Sequence, residues 1–180
     1  MNTIFQTPLH YSVAGTTFSD DIGFGLTSGS TISDIKFEGV SVSRDKAAIL
    51  FRPMGNNETI QNCWVQNVGC VFGWDDNYNI TVKDSRIRGT YFDGIHWGDG
   101  ASYNNLAQNN HFRGIGDDAI AQVNRVDMGL AHDNTAKFNT IVASYWGRGI
   151  SDVGGDNLTI TDNIIDSTYL AGFIITTEIL

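Results

Sequence analysis

The chain has 180 residues and a formal net charge of −9, with only 17% charged residues, 20 Gly and 2 Pro. That length suits one domain with a sizeable core, and a Gly- and Asn-rich composition without long Lys/Glu-rich stretches excludes a helical bundle in favour of strands and turns. The acidic balance excludes nucleic acid and anionic membranes as partners, and it disfavours a strongly anionic polymer as substrate because the eleven Lys and Arg read as scattered.

In chain order, the opening Met1-Asn2-Thr3-Ile4 does not read as a signal peptide, so the chain is either cytoplasmic or exported on a signal that this sequence does not carry. No apolar run approaches the ~20 residues that span a membrane. After a less regular first thirty residues, one pattern recurs: an apolar or small residue, two or three polar residues that are often Asx, then an aliphatic or aromatic anchor. It reads Ile32-Ser33-Asp34-Ile35-Lys36-Phe37 first, then returns at 60–65, 82–87, 107–112, 136–141 and 160–165. The anchors Phe37, Val65, Ile87, Phe112, Ile141 and Ile165 lie 22–29 residues apart. The third position of each segment forms a column, Asp34, Asn62, Asp84, Asn109, Phe138 and Asp162, and the next column ends in Asn110, Asn139 and Asn163. Asx residues occupy turns and hydrogen-bond locally, and stacked Asn side chains can form ladders.

A period in the twenties with short apolar strands, and without the Leu-x-x-Leu-x-Leu frame of leucine-rich repeats, predicts an all-β fold: a right-handed parallel β-helix, a pectate-lyase-like solenoid of six to seven coils. Residues 1–180 form one such domain, a stack about 30 Å long at ~4.8 Å per coil. Cys63 and Cys70 are too few for a disulfide framework and have no metal-ligand spacing, so they read as core thiols. The strand-like run 171–180 has no polar cap, which predicts a piece of a longer β-helix or an end covered by another chain, such as a second copy.

Asp93 and Asp118 each stand six residues past an anchor, and Asp117 precedes that slot by one. On neighbouring coils the three carboxylates meet. Counted the same way, the other coils carry Val71, Gly147 and Ala171 in the slot, while Ile95, Ile120 and Phe173 two residues on read as core. Strict alternation would turn Asp93 and Asp118 inward, so a turn or bulge eased by Gly94 and Gly116 is expected to break the parity. Three carboxylates this close cannot all ionise freely, and at least one should have a raised pKa. Glycoside hydrolysis needs that combination, one protonated acid for the leaving oxygen and one carboxylate for the water. A calcium site or surface Asp in turns would collect the same residues.

Asp93-Gly94 on one coil followed by Gly116-Asp117-Asp118-Ala119 on the next resembles the right-handed β-helix inverting glycosidases of families 28, 49 and 87. The wider stretches 85–97, 110–121, 149–163 and 171–175 are most similar to family 87, the mycodextranases and α-1,3-glucanases. The likeness covers residues 80–178 well and the N-terminal third loosely. It implies Asp117 as general acid and Asp93 with Asp118 activating the water, with no cofactor and no metal. The Gly-His-Gly and Arg-x-Lys elements with which polygalacturonases hold uronates are absent after Asp118, which implies a neutral α-glucan, α-1,3-linked or mixed α-1,3/1,4-linked, and a secreted, extracellular enzyme.

Around the acids, Trp97 is the expected stacking platform for a pyranose, with Trp146, His96, Arg148 and Asp152 as further substrate-binding residues. Tyr91, Tyr103 and Tyr145 fall in the same coils. Each also has a plainer reading as packing, salt bridge or turn cap. Asp75-Asp76 is a second acid pair, set later in its coil. Two other functions remain open from the residues: a non-catalytic glycan-binding or structural β-helix of the tailspike kind, and a polysaccharide lyase, against which the scarcity of Lys and Arg near the acids counts.

Overall fold

The structure, a computed structural model, describes residues 4–7, 22–39, 49–73, 76–125 and 127–177; Asp75 of the second acid pair and the last three residues of the terminal run lie outside the described residues. Every regular element among them is a β-strand, and every pairing is parallel and links one coil to the next.

One seven-stranded sheet carries the anchors: Ile4–Thr7, Lys36–Gly39, Trp64–Gln66, Arg86–Arg88, His111–Arg113, Thr140–Val142 and Ile164–Asp166. Each of these strands leads into a second sheet, Ile22–Leu26, Ile49–Pro53, Cys70–Gly73, Ile95–Gly98, Ile120–Val123, Ile150–Val153 and Phe173–Thr176. A six-stranded sheet closes each coil, Thr31–Ser33, Thr59–Gln61, Thr81–Lys83, Leu106–Gln108, Thr135–Lys137 and Thr159–Thr161. Three short strands, Asn77–Tyr78, Ser102–Tyr103 and Ala131–His132, add a corner to the middle coils. The molecule is thus a parallel β-helix of about six coils, as the period predicts.

The anchors are the interior. Phe37, Val65, Ile87, Phe112 and Ile141 are at most 1% exposed, while the residues on either side of each anchor point outward along the period-2 pleat. The Asx column makes the sharp corner between the closing sheet and the anchor sheet. Asp34, Asn62, Asp84, Asn109, Phe138 and Asp162 all have φ between 49° and 61°, the left-handed region that Asx tolerates and most residues avoid. Immediately after it, an interior ladder runs up the stack: the Ser85 N–H donates to the Asn110 side-chain oxygen, Asn110 N–H to Asn139, and Asn139 N–H to Asn163, at 2.9–3.0 Å. The corner removes amides from the strand pairing, and the ladder satisfies them inside the core.

The last coil exposes Ile164, Tyr169, Leu170, Phe173 and Ile175, each between 53% and 70%. Four of the cations are gathered, where the sequence expectation was scatter. Lys36, Arg86, Arg88 and Arg113 all lie on the outer face of the anchor sheet, because strand register stacks positions that are a coil apart in sequence.

Candidate active site

Asp93, Asp117 and Asp118 sit in the turns between the anchor sheet and the second sheet, just before Ile95–Gly98 and Ile120–Val123. The parity break is visible in the residues that follow. Ala119 and Ile120 are both core residues although adjacent in sequence. One coil earlier Gly94 also faces inward, since a Cβ there would lie 2.8 Å from the Phe112 ring, and Ile95 next to it is buried. Two consecutive inward positions throw Asp93 and Asp118 to the outside. The break is therefore at Gly94 and Ala119; Gly116, the other glycine expected to ease it, packs against the backbone of Thr90 and Tyr91.

Register also corrects the slot. Ile120 pairs with Ile150, so the residue opposite Asp118 is Arg148, not Gly147, because the turn on that coil is one residue longer. On the other side Ile95 pairs with Phe72, which sets Cys70 rather than Val71 opposite Asp93. Gly147 instead lies against Asp117, where a Cβ would come within 2.3 Å of its carbonyl carbon.

The three carboxylates converge, with one oxygen of each within 4.8 Å of the others. Asp93 Oδ1 accepts the backbone N–H of Asp118 at 3.0 Å, and its Oδ2 is 2.7 Å from His96 Nδ1. Asp118 Oδ1 accepts the N–H of Arg148 at 2.6 Å, and its Oδ2 lies 3.5 Å from the Arg148 guanidinium. Asp118 is 4% exposed, and burial pushes its carboxyl above the ordinary carboxylate value; the Asp93 charge adds to this, while Ser151, the Arg148 amide and the Arg148 charge oppose it. Cys70, fully buried beside Asp93, has its thiol pushed up by burial and by the same charge, so it remains a neutral neighbour. Asp117 is the more accessible of the two adjacent acids. One oxygen from each of the three carboxylates lies within ligand reach of a common point, so the set could also hold a divalent cation.

The structure sorts the residues expected around the acids. Trp97 is not a stacking platform: it pairs in register two residues past Ile95, points into the core and is 1% exposed. Asp152 does not face the acids either. It lies in an interior polar cluster, where its carboxylate accepts the Gln122 amide and the Gly155 N–H, both at 3.1 Å. His96 is buried, with Nδ1 on Asp93 and Nε2 3.8 Å from Asp99, which in turn meets Arg125 at 3.0 Å. Its Nδ1 contact fixes the orientation of the Asp93 carboxylate. Arg148 stands on Asp118, and Trp146 is exposed on the turn that lies against Asp117, as is Tyr145, whose hydroxyl donates to the Thr90 carbonyl at 2.9 Å. Ser151 was missed by sequence reasoning. It shares the outward column with His96 and Ala121, and counting three residues on from the acid slot would have found it.

Comparison with known proteins follows the same lines. The family model "Alpha-1,3-glucanase catalytic domain D2" matches residues 4–176. No curated protein sequence matches the chain. Among solved structures, an Asp-to-Ala variant of the catalytic domain of a family 87 alpha-1,3-glucanase in complex with tetrasaccharides superimposes with a TM-score of 0.69 at 23% identity, over 89% of this chain and 29% of that one. The catalytic domain of a family 87 alpha-1,3-glucanase with nigerose gives a TM-score of 0.62 at 23% identity, over 89% of this chain and 34% of that one. The catalytic unit of a thermostable family 87 alpha-1,3-glucanase from Streptomyces thermodiastaticus strain HF3-3 gives 0.58 at 18% identity, over 85% and 35%. The chain spans about a third of the length of these structures, and the likeness is one of fold.

Proposed function

This chain belongs to the family of alpha-1,3-glucanase catalytic domains described as D2, and from that premise we propose that it carries the acid–base site of a hydrolase cleaving α-glucosidic bonds of a neutral glucan, α-1,3-linked or mixed α-1,3/1,4-linked. The observation that carries the reading is the meeting of Asp93, Asp117 and Asp118 within 4.8 Å. Asp117, the more accessible of the adjacent pair, protonates the leaving oxygen. Asp93 and Asp118, held by cross-coil hydrogen bonds, take the proton of the attacking water. Arg148 keeps the Asp118 carboxylate available against the burial that favours its neutral form. Trp146 offers an exposed ring for a sugar face.

Solved relatives crystallised with nigerose or tetrasaccharides carry alanine for aspartate at three positions, two of them consecutive and one earlier in the chain. That arrangement parallels Asp93, Asp117 and Asp118 and supports their assignment. Inversion of configuration is part of the proposal and rests on the resemblance to the inverting β-helix glycosidases. A polymeric glucan as substrate supports an extracellular site of action, which is part of the proposal.

The central test is Asp117→Asn, with reducing ends assayed on α-1,3-, α-1,6- and mixed-linkage glucans. We expect kcat to fall ~10³-fold with the far-UV spectrum unchanged; full activity in that variant overturns the assignment. Proton NMR of the first product, showing the β-anomer for inversion, tests the stereochemistry.

A further inference from the structure

We propose that the outer face of the anchor sheet is a second binding site, specific for an anionic polysaccharide and separate from the carboxylate site. The face is built by register. Arg86 stands opposite His111 on one neighbouring strand and Trp64 on the other, and Arg88 stands opposite Arg113. Neighbouring strands are about 4.8 Å apart, and like charges in register on one face repel. The repulsion between Arg88 and Arg113 is built into the sheet, because the alternation that buries Ile87 and Phe112 forces both arginines outward.

The chain had the means to neutralise this face and does not. It carries 20 Asp and Glu against 11 Lys and Arg. On the same face Lys36 is paired with Glu38 at 2.9 Å, and elsewhere Arg125 is paired with Asp99 at 3.0 Å and Arg148 with Asp118 at 3.5 Å. Among the described residues Arg86, Arg88 and Arg113 form no ion pair, and all three are exposed. In an acidic molecule, three unpaired arginines on adjacent strands make a local anion site against the sign of the whole.

The shape fits an extended polymer. A depression of about 450 Å³ is lined by Trp64, Arg86, Arg88, His111 and Arg113. Trp64 is 40% exposed, with the Arg86 guanidinium 5.6 Å and the Lys36 ammonium 5.8 Å from its ring centre. An indole flanked by cations presents a polarised edge to sugar hydroxyls while the guanidinium forks bind sulfate, phosphate or carboxylate groups. A flat strand ladder with arginines on two adjacent coils and an exposed indole on the next suits a chain of repeating charged sugars better than a compact ligand. Such a site would hold the protein on a charged matrix while the carboxylate site works on a neutral glucan.

The test uses dextran sulfate as probe, with unsulfated dextran, poly-glutamate and inorganic sulfate beside it, in titrations at low salt and at several-fold higher salt. Expected is binding of dextran sulfate that weakens with salt and falls about tenfold for each arginine removed in Arg88→Gln and Arg113→Gln. Lys83→Gln and Lys137→Gln, which remove the same charge from the closing sheet, should leave it unchanged. Circular dichroism checks that the exposed substitutions leave the fold intact. Equal loss from the lysine variants means a diffuse charge effect and overturns the site. Poly-glutamate binding as tightly as dextran sulfate means an acidic peptide partner and overturns the glycan assignment. Inorganic sulfate saturating the face and abolishing polymer binding at equal concentration reduces it to a free-ion site. Glucan hydrolysis by the two arginine variants should match the parent, which separates failure here from failure of the carboxylate assignment.

Discussion

The backbone N–H of Asp118 donates to the Asp93 carboxylate across one coil, at 3.0 Å. The same bond is repeated a coil further on, where the Arg148 N–H donates to the Asp118 carboxylate at 2.6 Å. Each acid is thus aimed by the amide of the residue directly opposite in register, which the solenoid supplies without any side chain. The aiming costs little flexibility, because the amides belong to backbone already ordered by the stack. It also joins the acids electrostatically: Asp118 is close enough to Asp93 to have its own ionisation opposed by that charge.

The pH dependence of catalysis follows. If Asp118 helps to activate water it must be ionised, and its raised pKa moves the acid limb of the kcat/KM profile above the ordinary Asp value of 3.8. Activity is then lost as pH falls through that raised value and kept above it. Arg148→Gln removes a charge that favours the ionised form, so the limb should move further up. A profile whose acid limb is the same in parent and variant would remove Asp118 from the base role.

Gly94 is the residue on which the outward turn of Asp93 depends. A methyl there would meet the Ala119 carbonyl oxygen at 2.5 Å and the Phe112 ring at 2.8 Å. Both neighbours are core, so Gly94→Ala should destabilise the fold by ~1–3 kcal/mol in urea unfolding. Its kcat should fall as well, because the Asp93 turn must move to relieve the clash. A variant with parent stability would show that the turn accommodates a side chain.

The anchors and the Asx corner were legible in the sequence because each has a local cause: a buried position excludes polar residues, and a left-handed φ selects Asx. Ile95 read as core also placed Trp97 inward by alternation, so that correction was within reach of the same rule, whereas Asp152 turns inward only through the pairing of Ile150 with Ile120. What was not legible is register. The turns before the second sheet differ by single residues, and one residue decides that Arg148 rather than Gly147 meets Asp118. The basic face was within reach of the anchor columns, because Arg88 and Arg113 each follow an anchor directly and pair in register as the anchors do.

Phe138 departs from the corner rule and gives a stabilising substitution. It has φ of 57° in a column otherwise of Asp and Asn, and it is 51% exposed, so little packing offsets the strain. A left-handed conformation costs most L-residues about 1–2 kcal/mol. Phe138→Asn should therefore raise stability by ~1 kcal/mol, read as a higher thermal midpoint. An unchanged or lower midpoint would mean that the exposed ring contributes as much as the strain costs.

Glu58 gives the stack a pH dependence remote from the acids. It is fully buried, and burial raises its pKa from 4.5 to about 7, with the nearby Met54 and Gly55 amides opposing the shift. Between these values the folded state binds a proton that the unfolded state has released. Stability from this group is complete below about pH 4.5, declines as pH rises towards 7, and is level above. Glu58→Gln carries no charge and should be the more stable protein at pH 8 by ~2 kcal/mol, with the difference shrinking at pH 5. Parallel midpoint curves for parent and variant across that range would place the Glu58 pKa at its ordinary value.

Trp97 and Trp146, two coils apart, separate packing from recognition. Trp97 is 1% exposed and lies in the core cluster, so Trp97→Ala should destabilise the protein by about 3–5 kcal/mol. Trp146 is 55% exposed, and Trp146→Ala should leave the unfolding midpoint within about 0.5 kcal/mol of the parent. If its ring stacks on a sugar beside Asp117, KM on a soluble α-1,3-glucan oligosaccharide should rise about tenfold with kcat little changed, the pattern of lost uniform binding. The two substitutions remove the same side chain from positions that differ in exposure alone. A KM effect from Trp97→Ala in protein still folded at the assay temperature, with none from Trp146→Ala, would move the sugar platform back to Trp97 and require that strand to open.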